Sequence, residues 1–188
     1  MHDLIAITPL GATSARADTI GGISIIECPD WALASVTCRL GQQEEMQLLA
    51  KKFLGCALPP ASMSASKDVF TALWIGPDQW MVEAPHHSHE DLAAQLKARL
   101  GETASVTEQS DGWCRFDLKG AICHDVLERL CNVNTRAMVS GAVSRTRLEH
   151  LGCFVVSRET DKHFSVIGPR SSARSIHHAI IVAAKSAA

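Results

Sequence analysis

With 188 residues, of which 46% are apolar and 20% charged, the chain has an ordinary globular composition and the length for one sizeable domain or two small halves sharing a core. A formal net charge of −2 offers no basic excess that would favour nucleic acid or an anionic membrane as a partner. The N-terminus lacks signal-peptide features, and no apolar run approaches the roughly 20 residues that span a bilayer, so we expect a cytoplasmic protein.

The apolar pattern predicts two similar rounds of strands and helices. Runs rich in β-branched and aromatic residues predict strands, and apolar residues spaced by three and four predict helices. After an irregular arm at 1–20, strands are expected at about 22–27, 31–39, 70–75, 79–83, 104–108, 113–119, 143–148, 152–157 and 163–167. Helices are expected at about 44–54, 88–100, 121–130 and 171–183.

Three local signals sharpen this picture. The stretch Gly76-Pro77-Asp78 between two apolar runs predicts a hairpin turn, in which glycine supplies the positive φ. Ser88 with Asp91 three residues later has the spacing of a capping box. Alternation along 113–119 predicts a half-buried strand, with Cys114, Phe116 and Leu118 facing the core and Arg115, Asp117 and Lys119 facing outward.

Because helices do not alternate one-for-one with strands, the chain predicts an α+β fold with an antiparallel or mixed sheet rather than a doubly wound fold. We expect a single domain at 21–188, divided into pseudo-repeated halves at about 21–109 and 110–188.

No histidine or cysteine pattern predicts a metal site. The cluster His86-His87-x-His89 lies in a polar loop without a carboxylate or thiol companion. His177 and His178 are adjacent on a helix and point about 100° apart, as His124 and Asp125 do. The seven cysteines include no C-x-x-C pair, and an odd number without an export signal predicts reduced, structural thiols.

The sequence also lacks the motifs of common catalytic and nucleotide sites. No G-x-G-x-x-G, P-loop or G-x-S-x-G occurs. Two arginine pairs could bind an anion: Arg145 with Arg147 on a predicted strand, and Arg170 with Arg174 at the start of the last predicted helix. The favoured interpretation is a charged outer strand face for the first pair and rim contacts with a partner for the second. Asp78 and Asp117 are interpreted as turn and surface residues rather than general bases. We therefore assign no catalytic, cofactor-binding or metal residue.

The four tryptophans, Trp31, Trp74, Trp80 and Trp113, occur without any tyrosine. Trp74 and Trp80 flank the predicted hairpin turn. They are expected either to pack in the core or to anchor a contact with another subunit, where tryptophan is enriched.

Several stretches resemble one known family. L-W-I-G-P-D-Q-W-M-V-E-A-P at 73–85 resembles the L-W-L-G-P-D-E-W-L-L stretch of the gamma subunit of heterotetrameric sarcosine oxidase. The segments at 106–134 and 164–180 are similar to two further motifs of that family, and the resemblance covers about residues 8–183. Ser172, His178 and Asn134 depart from its usual residues.

This resemblance implies a noncatalytic subunit of an oxidoreductase complex with alpha, beta and delta partners. Such complexes demethylate sarcosine to glycine, form hydrogen peroxide and transfer a one-carbon unit to tetrahydrofolate. FAD, FMN, NAD and tetrahydrofolate would then belong to alpha and beta, and zinc to delta, with no cofactor on this chain. The fold implied is that of the folate-binding domain of aminomethyltransferases.

Two alternatives remain open from the sequence. A gamma-like subunit of an N-methylglutamate dehydrogenase would have the same architecture and another substrate. A free-standing folate-binding protein of the aminomethyltransferase superfamily is the second alternative, although the chain is about half the length of an aminomethyltransferase.

Overall fold

The computed structural model describes residues 5–188, which divide into two compact units. One unit combines residues 5–29 with Asp111–Ala188, and we call it the terminal unit. The other comprises Asp30–Ser110, and we call it the internal unit.

The elements are as follows in chain order. The strands are β1 (Ala17–Ile20), β2 (Ile23–Glu27), β3 (Trp31–Cys38), β4 (Ser64–Lys67), β5 (Phe70–Gly76), β6 (Gln79–Pro85), β7 (Ala104–Glu108), β8 (Trp113–Gly120), β9 (Val143–Leu148), β10 (Leu151–Glu159) and β11 (His163–Pro169). The helices are α1 (Gln43–Leu54), α2 (His86–His89), α3 (Leu92–Leu100), α4 (Cys123–Glu128) and α5 (Ala173–Ala187). Short 3₁₀ turns lie at Gly101–Thr103, Thr135–Ala137 and Arg170–Ser172.

The terminal unit contains a six-stranded sheet in the order β1-β2-β8-β11-β10-β9, in which every pair is antiparallel. Phe116, Phe164 and Val166 on this sheet pack in one core with Ile176 and Ile180 of α5. Removing these side chains from water is the main stabilising contribution, at about 25 cal/mol per Å² of apolar surface.

The internal unit contains a five-stranded antiparallel sheet in the order β4-β5-β6-β3-β7. Helix α1 buries Met46, Ala50 and Leu54, which recur every four residues and therefore share one face. Helix α3 buries an equivalent stripe of leucines. Both stripes join a core with residues of β3, β5 and β6.

The predicted α+β class and the antiparallel pairing are confirmed. Two halves that meet at about residues 109 and 110 were expected from the sequence, and the two units of the structure divide the chain after Pro29 and after Ser110. Residues 17–20, expected within an irregular arm, form β1, because they pair with β2 from Ala17↔Ile26 to Ile20↔Ile23. Strand β2 in turn pairs with β8, which places residues 17–27 in the same unit as the C-terminal part of the chain. Residues 1–4 of the expected arm lie outside the described residues.

The predicted helix at 88–100 is divided, so this prediction is wrong in its first turn. Helix α2 ends at His89 and α3 begins at Leu92. The capping box does not form, because Ser88 Oγ donates to the carbonyl of Pro85 at 3.3 Å and lies 2.9 Å from His89 Nδ1. Strand β4 was missed; its four residues carry no apolar alternation.

The hairpin of β5 and β6 is confirmed, with Gly76 paired to Gln79 across the loop Pro77-Asp78. The positive φ, 53°, belongs to Asp78 and not to Gly76, so the predicted role of the glycine is wrong. A proline followed by a residue with positive φ is the arrangement of a type II turn.

Beyond the turn, Trp74 and Trp80 pair directly across the two strands of the hairpin. The indole Nε1 of Trp80 donates to the carbonyl of Pro59 at 2.9 Å. Trp80 is buried in the core of the internal unit, so it has the core-packing role, one of the two roles expected from the sequence.

Candidate functional site

The most extensive buried polar network centres on Asp117 in β8. Asp117 pairs with Ser165 of β11, and the pleat puts Arg115 on the same face of the strand. Oδ1 of Asp117 accepts from Arg115 Nε at 2.8 Å and from Ser165 Oγ at 2.6 Å, and Oδ2 accepts from the Arg115 guanidinium at 2.9 Å and from His163 Nε2 at 2.9 Å. We call these four residues the Asp117 network.

The network was not foreseen, since Asp117 was interpreted as a surface residue and is buried. Alternation correctly put Arg115 and Asp117 opposite Phe116, but both faces of β8 are buried up to Leu118. The sequence signal that could have revealed the network is the pair of polar residues, Arg115 and Asp117, at positions i and i+2 of an apolar strand. The other two members, His163 and Ser165, lie on β11, and the register between β8 and β11 places them beside Asp117.

Burial opposes ionisation of Asp117, but the hydrogen bonds from His163, Arg115 and Ser165 together with the Arg115 charge hold the pKa of this carboxyl well below its usual range. A carboxylate has about four lone-pair positions, and the four contacts above occupy them. Asp117 is therefore a fixed anion with no position left for a substrate proton, which does not suit a general base.

The Ser165 hydroxyl is likewise occupied both as a hydrogen-bond donor and as an acceptor. Its hydroxyl donates to Asp117 and accepts from Nε of Arg158 at 2.9 Å. Nucleophilic serines need a neighbouring base that can take their proton, and the carboxylate here is held ionised by the Arg115 guanidinium and by its hydrogen bonds. The arrangement cross-links β8, β10 and β11, and it is suited to structure rather than to bond cleavage.

A second constellation has the appearance of a catalytic triad. The His124 ring lies between Thr135 Oγ1, 3.0 Å from Nδ1, and Asp161 Oδ1, 3.0 Å from Nε2. Thr135 is fully buried, so its hydroxyl is inaccessible to a substrate. The ring also packs edge-on against Phe164 at 5.3 Å between centroids. This group therefore joins α4 to the following 3₁₀ turn and to the β10–β11 connection.

A third set of contacts holds the N-terminal segment against the terminal unit. Glu27 accepts from the backbone N–H groups of Leu10 at 2.8 Å and Arg16 at 3.0 Å. His177 Nε2 lies 2.8 Å from Asp18. Arg170 donates to the carbonyl of Ile7 at 2.9 Å within its own chain, and the partner-rim contact favoured from the sequence stays a prediction.

Arg145 and Arg147 are exposed on β9, as the reading of a charged strand face expected. The Arg145 guanidinium lies 5.9 Å from the centroid of the Phe154 ring, within range of a cation–π contact.

Residues 5–188 contain no group of three histidine, cysteine, aspartate or glutamate side chains placed to hold a metal ion. Within the histidine cluster, His89 packs edge-on against Phe70 at 4.9 Å, and His86 and His87 are exposed. Among the same described residues, no helix has both the length and the apolar character needed to cross a membrane.

All seven cysteines are free thiols, and their environments suppress reactivity. Burial raises the pKa of Cys28, Cys123 and Cys153 to about 11. Burial raises the pKa of Cys114 to about 12. Since the thiolate is the nucleophile and the metal ligand, these four thiols are unreactive at neutral pH, and Cys114, Cys123 and Cys153 behave as small core side chains.

The comparisons with known proteins concern the fold. No protein-family model matches the sequence, and no curated protein matches it. A chain of the heterotetrameric sarcosine oxidase from Corynebacterium sp. U-96, solved in complex with pyrrole 2-carboxylate, is similar in structure with a TM-score of 0.78 and 19% sequence identity. The similarity covers 90% of this chain and 87% of that chain.

The glycine cleavage system aminomethyltransferase T from Bartonella henselae is similar with a TM-score of 0.62 and 13% identity. The similarity covers 89% of this chain and 50% of that chain, so this protein spans about half of the aminomethyltransferase. At these identities the comparisons show the fold, and they support the α+β architecture predicted from the sequence.

Proposed function

We propose that this chain is a noncatalytic, gamma-type subunit of a heteromeric sarcosine oxidase. The observation that carries the proposal is the similarity to a chain of such an enzyme along nearly the full length of both chains, with a TM-score of 0.78. The aminomethyltransferase, by comparison, is matched over only 50% of its own length and with a TM-score of 0.62.

The state of the polar groups supports a noncatalytic role. Asp117, the most strongly perturbed carboxyl, is saturated with hydrogen bonds, and Thr135 beside His124 is inaccessible. Catalytic groups need a free lone pair or an accessible nucleophile at the position of the substrate. The chemistry of the complex is therefore assigned to other subunits.

In this proposal the partners are alpha, beta and delta subunits in the cytoplasm. The complex oxidatively demethylates sarcosine to glycine, transfers the one-carbon unit to tetrahydrofolate and forms hydrogen peroxide. FAD, FMN, NAD and tetrahydrofolate are assigned to alpha and beta, and zinc to delta. N-methylglutamate replaces sarcosine in the alternative dehydrogenase.

Co-expression tests the proposal directly. A tagged chain is produced with the subunits encoded beside it, and the eluate is analysed by size-exclusion chromatography, visible spectroscopy and peroxide release. We expect co-elution with a large flavin-bearing chain and peroxide formation that depends on sarcosine. A colourless peak near 20 kDa without partners would contradict the proposal, and turnover of N-methylglutamate alone would select the alternative substrate.

A second candidate function is folate binding by the isolated chain. It is favoured by the similarity to aminomethyltransferase T, which covers 89% of this chain. Equilibrium dialysis with tetrahydrofolate measures it. Saturable binding by the free chain, together with failure to retain partners, would favour this candidate over the subunit role.

A further inference from the structure

Helix α1 of the internal unit exposes apolar residues that the core does not use. Leu48 is 68% exposed on the helix, and Leu40, just before it, is 97% exposed. The buried stripe of α1 is formed by Met46, Ala50 and Leu54, so Leu48 lies away from the core face. Single exposed leucines are common, and their meaning depends on the surrounding surface.

Two hollows lie along this helix. One, of about 740 Å³, is lined by residues 41–45 and Leu48 at the start of α1. The other, of about 440 Å³, lies between α1 and α3 and is lined by Leu49, Lys52, Phe53, Ala98 and Arg99. An apolar centre with a charged rim is the usual anatomy of a surface that another protein covers.

The charges follow an order along the same surface. Glu44 and Glu45 lie in the first turn of α1, and Lys51 and Lys52 lie in the last. Arg99 of α3 adds a further positive charge to the second hollow. Within residues 5–188 these five side chains take part in no ion pair, whereas Arg39 and Lys97 are both paired to Glu102.

The distribution of charge along α1 indicates which kind of partner element fits this surface. Acidic residues in the first turn and basic residues in the last turn complement the helix dipole, so a second helix with this charge distribution matches α1 only when it runs antiparallel. Its basic end then faces Glu44 and Glu45, and its acidic end faces Lys52 and Arg99. A helix of 12 residues offers a seam about 18 Å long.

We propose that the surface formed by Leu48, Leu49, Glu44, Glu45, Lys52 and Arg99, here called the α1 surface, binds an antiparallel amphipathic helix of a partner subunit. The apolar stripe of that helix packs on Leu48 and Leu49 between the two charged ends. The proposal rests on the subunit function proposed above and adds the location and chemistry of one contact.

The test compares Leu48→Asp with Val182→Asp in the full-length chain. Val182 is a 52% exposed apolar residue on α5, so the control introduces the same charge at a similar helical position outside the α1 surface. Binding to the remaining co-expressed subunits is measured as a dissociation constant by biolayer interferometry. Circular dichroism melting establishes that each variant is folded.

We expect Leu48→Asp to weaken binding about tenfold or more, as for a central interface residue, and Val182→Asp to change it less than about twofold. The double variant Glu44→Lys, Glu45→Lys should weaken binding at low salt and reduce the salt dependence of the association rate. Full binding by a folded Leu48→Asp variant would overturn the α1 proposal while leaving the subunit function intact. A wild-type chain that retains no subunit would instead overturn the subunit function, and the α1 proposal with it.

Discussion

Asp117 and His163 are joined across adjacent strands by a 2.9 Å hydrogen bond between Oδ2 and Nε2, although 46 residues separate them in the chain. Arg115 and Ser165 occupy the remaining positions of the same carboxylate. The result is a buried anion whose partners are all supplied by the protein. Its role in stability can therefore be measured without knowledge of any ligand.

We expect Asp117→Asn to lower the free energy of unfolding by about 3 kcal/mol, because the substitution breaks the buried ion pair between Asp117 and Arg115. Urea unfolding followed by circular dichroism measures the change. Asp30→Asn, at an exposed position, is the control and should change the free energy by less than about 0.5 kcal/mol. Equal effects of both substitutions would show that the Asp117 network does not stabilise the fold.

Acid stability should depend on the same carboxyl group. The pKa of Asp117 lies well below its value of about 3.9 in an unfolded chain, so the unfolded state binds the proton more readily. The stabilisation is complete above the unfolded pKa and is lost as the pH falls below it towards the folded pKa. Unfolding measured between about pH 5 and pH 2 should therefore vary less steeply in Asp117→Asn than in the wild type. Parallel curves for the two proteins would contradict this prediction.

A substitution in the hairpin turn is expected to raise the free energy of unfolding. Asp78 has a φ of 53°, a conformation that glycine adopts without the steric cost imposed by a Cβ atom. Asp78→Gly should stabilise the protein by about 0.5 kcal/mol, and Asp78→Ala should destabilise it by about 1 kcal/mol. Thermal unfolding checks both values. Asp30→Gly is the control, since Asp30 has no positive φ and glycine there should be mildly destabilising; the same gain at both positions would refute the turn assignment.

Gly120, at the end of β8, is required by a close approach of the backbone. Its φ is 145°, and a Cβ atom there would lie 2.2 Å from the carbonyl oxygen of Gly22. Gly120→Ala should therefore lower the free energy of unfolding by at least about 2 kcal/mol. Gly152→Ala, where a Cβ atom would meet nothing within 4 Å, should change it by less than about 0.5 kcal/mol. A neutral Gly120→Ala variant would be inconsistent with the pairing of β2 and β8.

The cysteines should resist modification in the folded protein. Burial raises the pKa of Cys114 to about 12 and that of Cys123 and Cys153 to about 11, so little thiolate is present at pH 7. We expect these three thiols to react with Ellman's reagent only after unfolding in urea, when all seven cysteines become reactive. Rapid labelling of any of the three in the native protein, identified by mass spectrometry, would contradict the prediction that these thiols are buried and protonated.

Local patterns predicted most of the elements because they depend on neighbours close in the chain. The helical spacing at 44–54 and 171–183 and the alternation along 113–119 were correct in period, and Cys114, Phe116 and Leu118 join the core as expected. The failures at Ser88 and Gly76 have another origin: more than one backbone conformation fits these turn residues, and the surrounding structure selects among them.

The sequence by itself determined the α+β class, the positions of the longer strands and helices, and the hairpin at 73–85, since periodicity and turn residues carry that information locally. Only the tertiary structure decided that β2 pairs with β8, that the chain divides after Pro29 and Ser110, and that Asp117 is a buried anion. These features depend on strand register, which brings residues far apart in the chain within hydrogen-bonding distance. Asp117 has the pattern of an exposed residue in its own strand, but it is buried in the fold, where the neighbouring strand supplies His163 and Ser165 as hydrogen-bond partners.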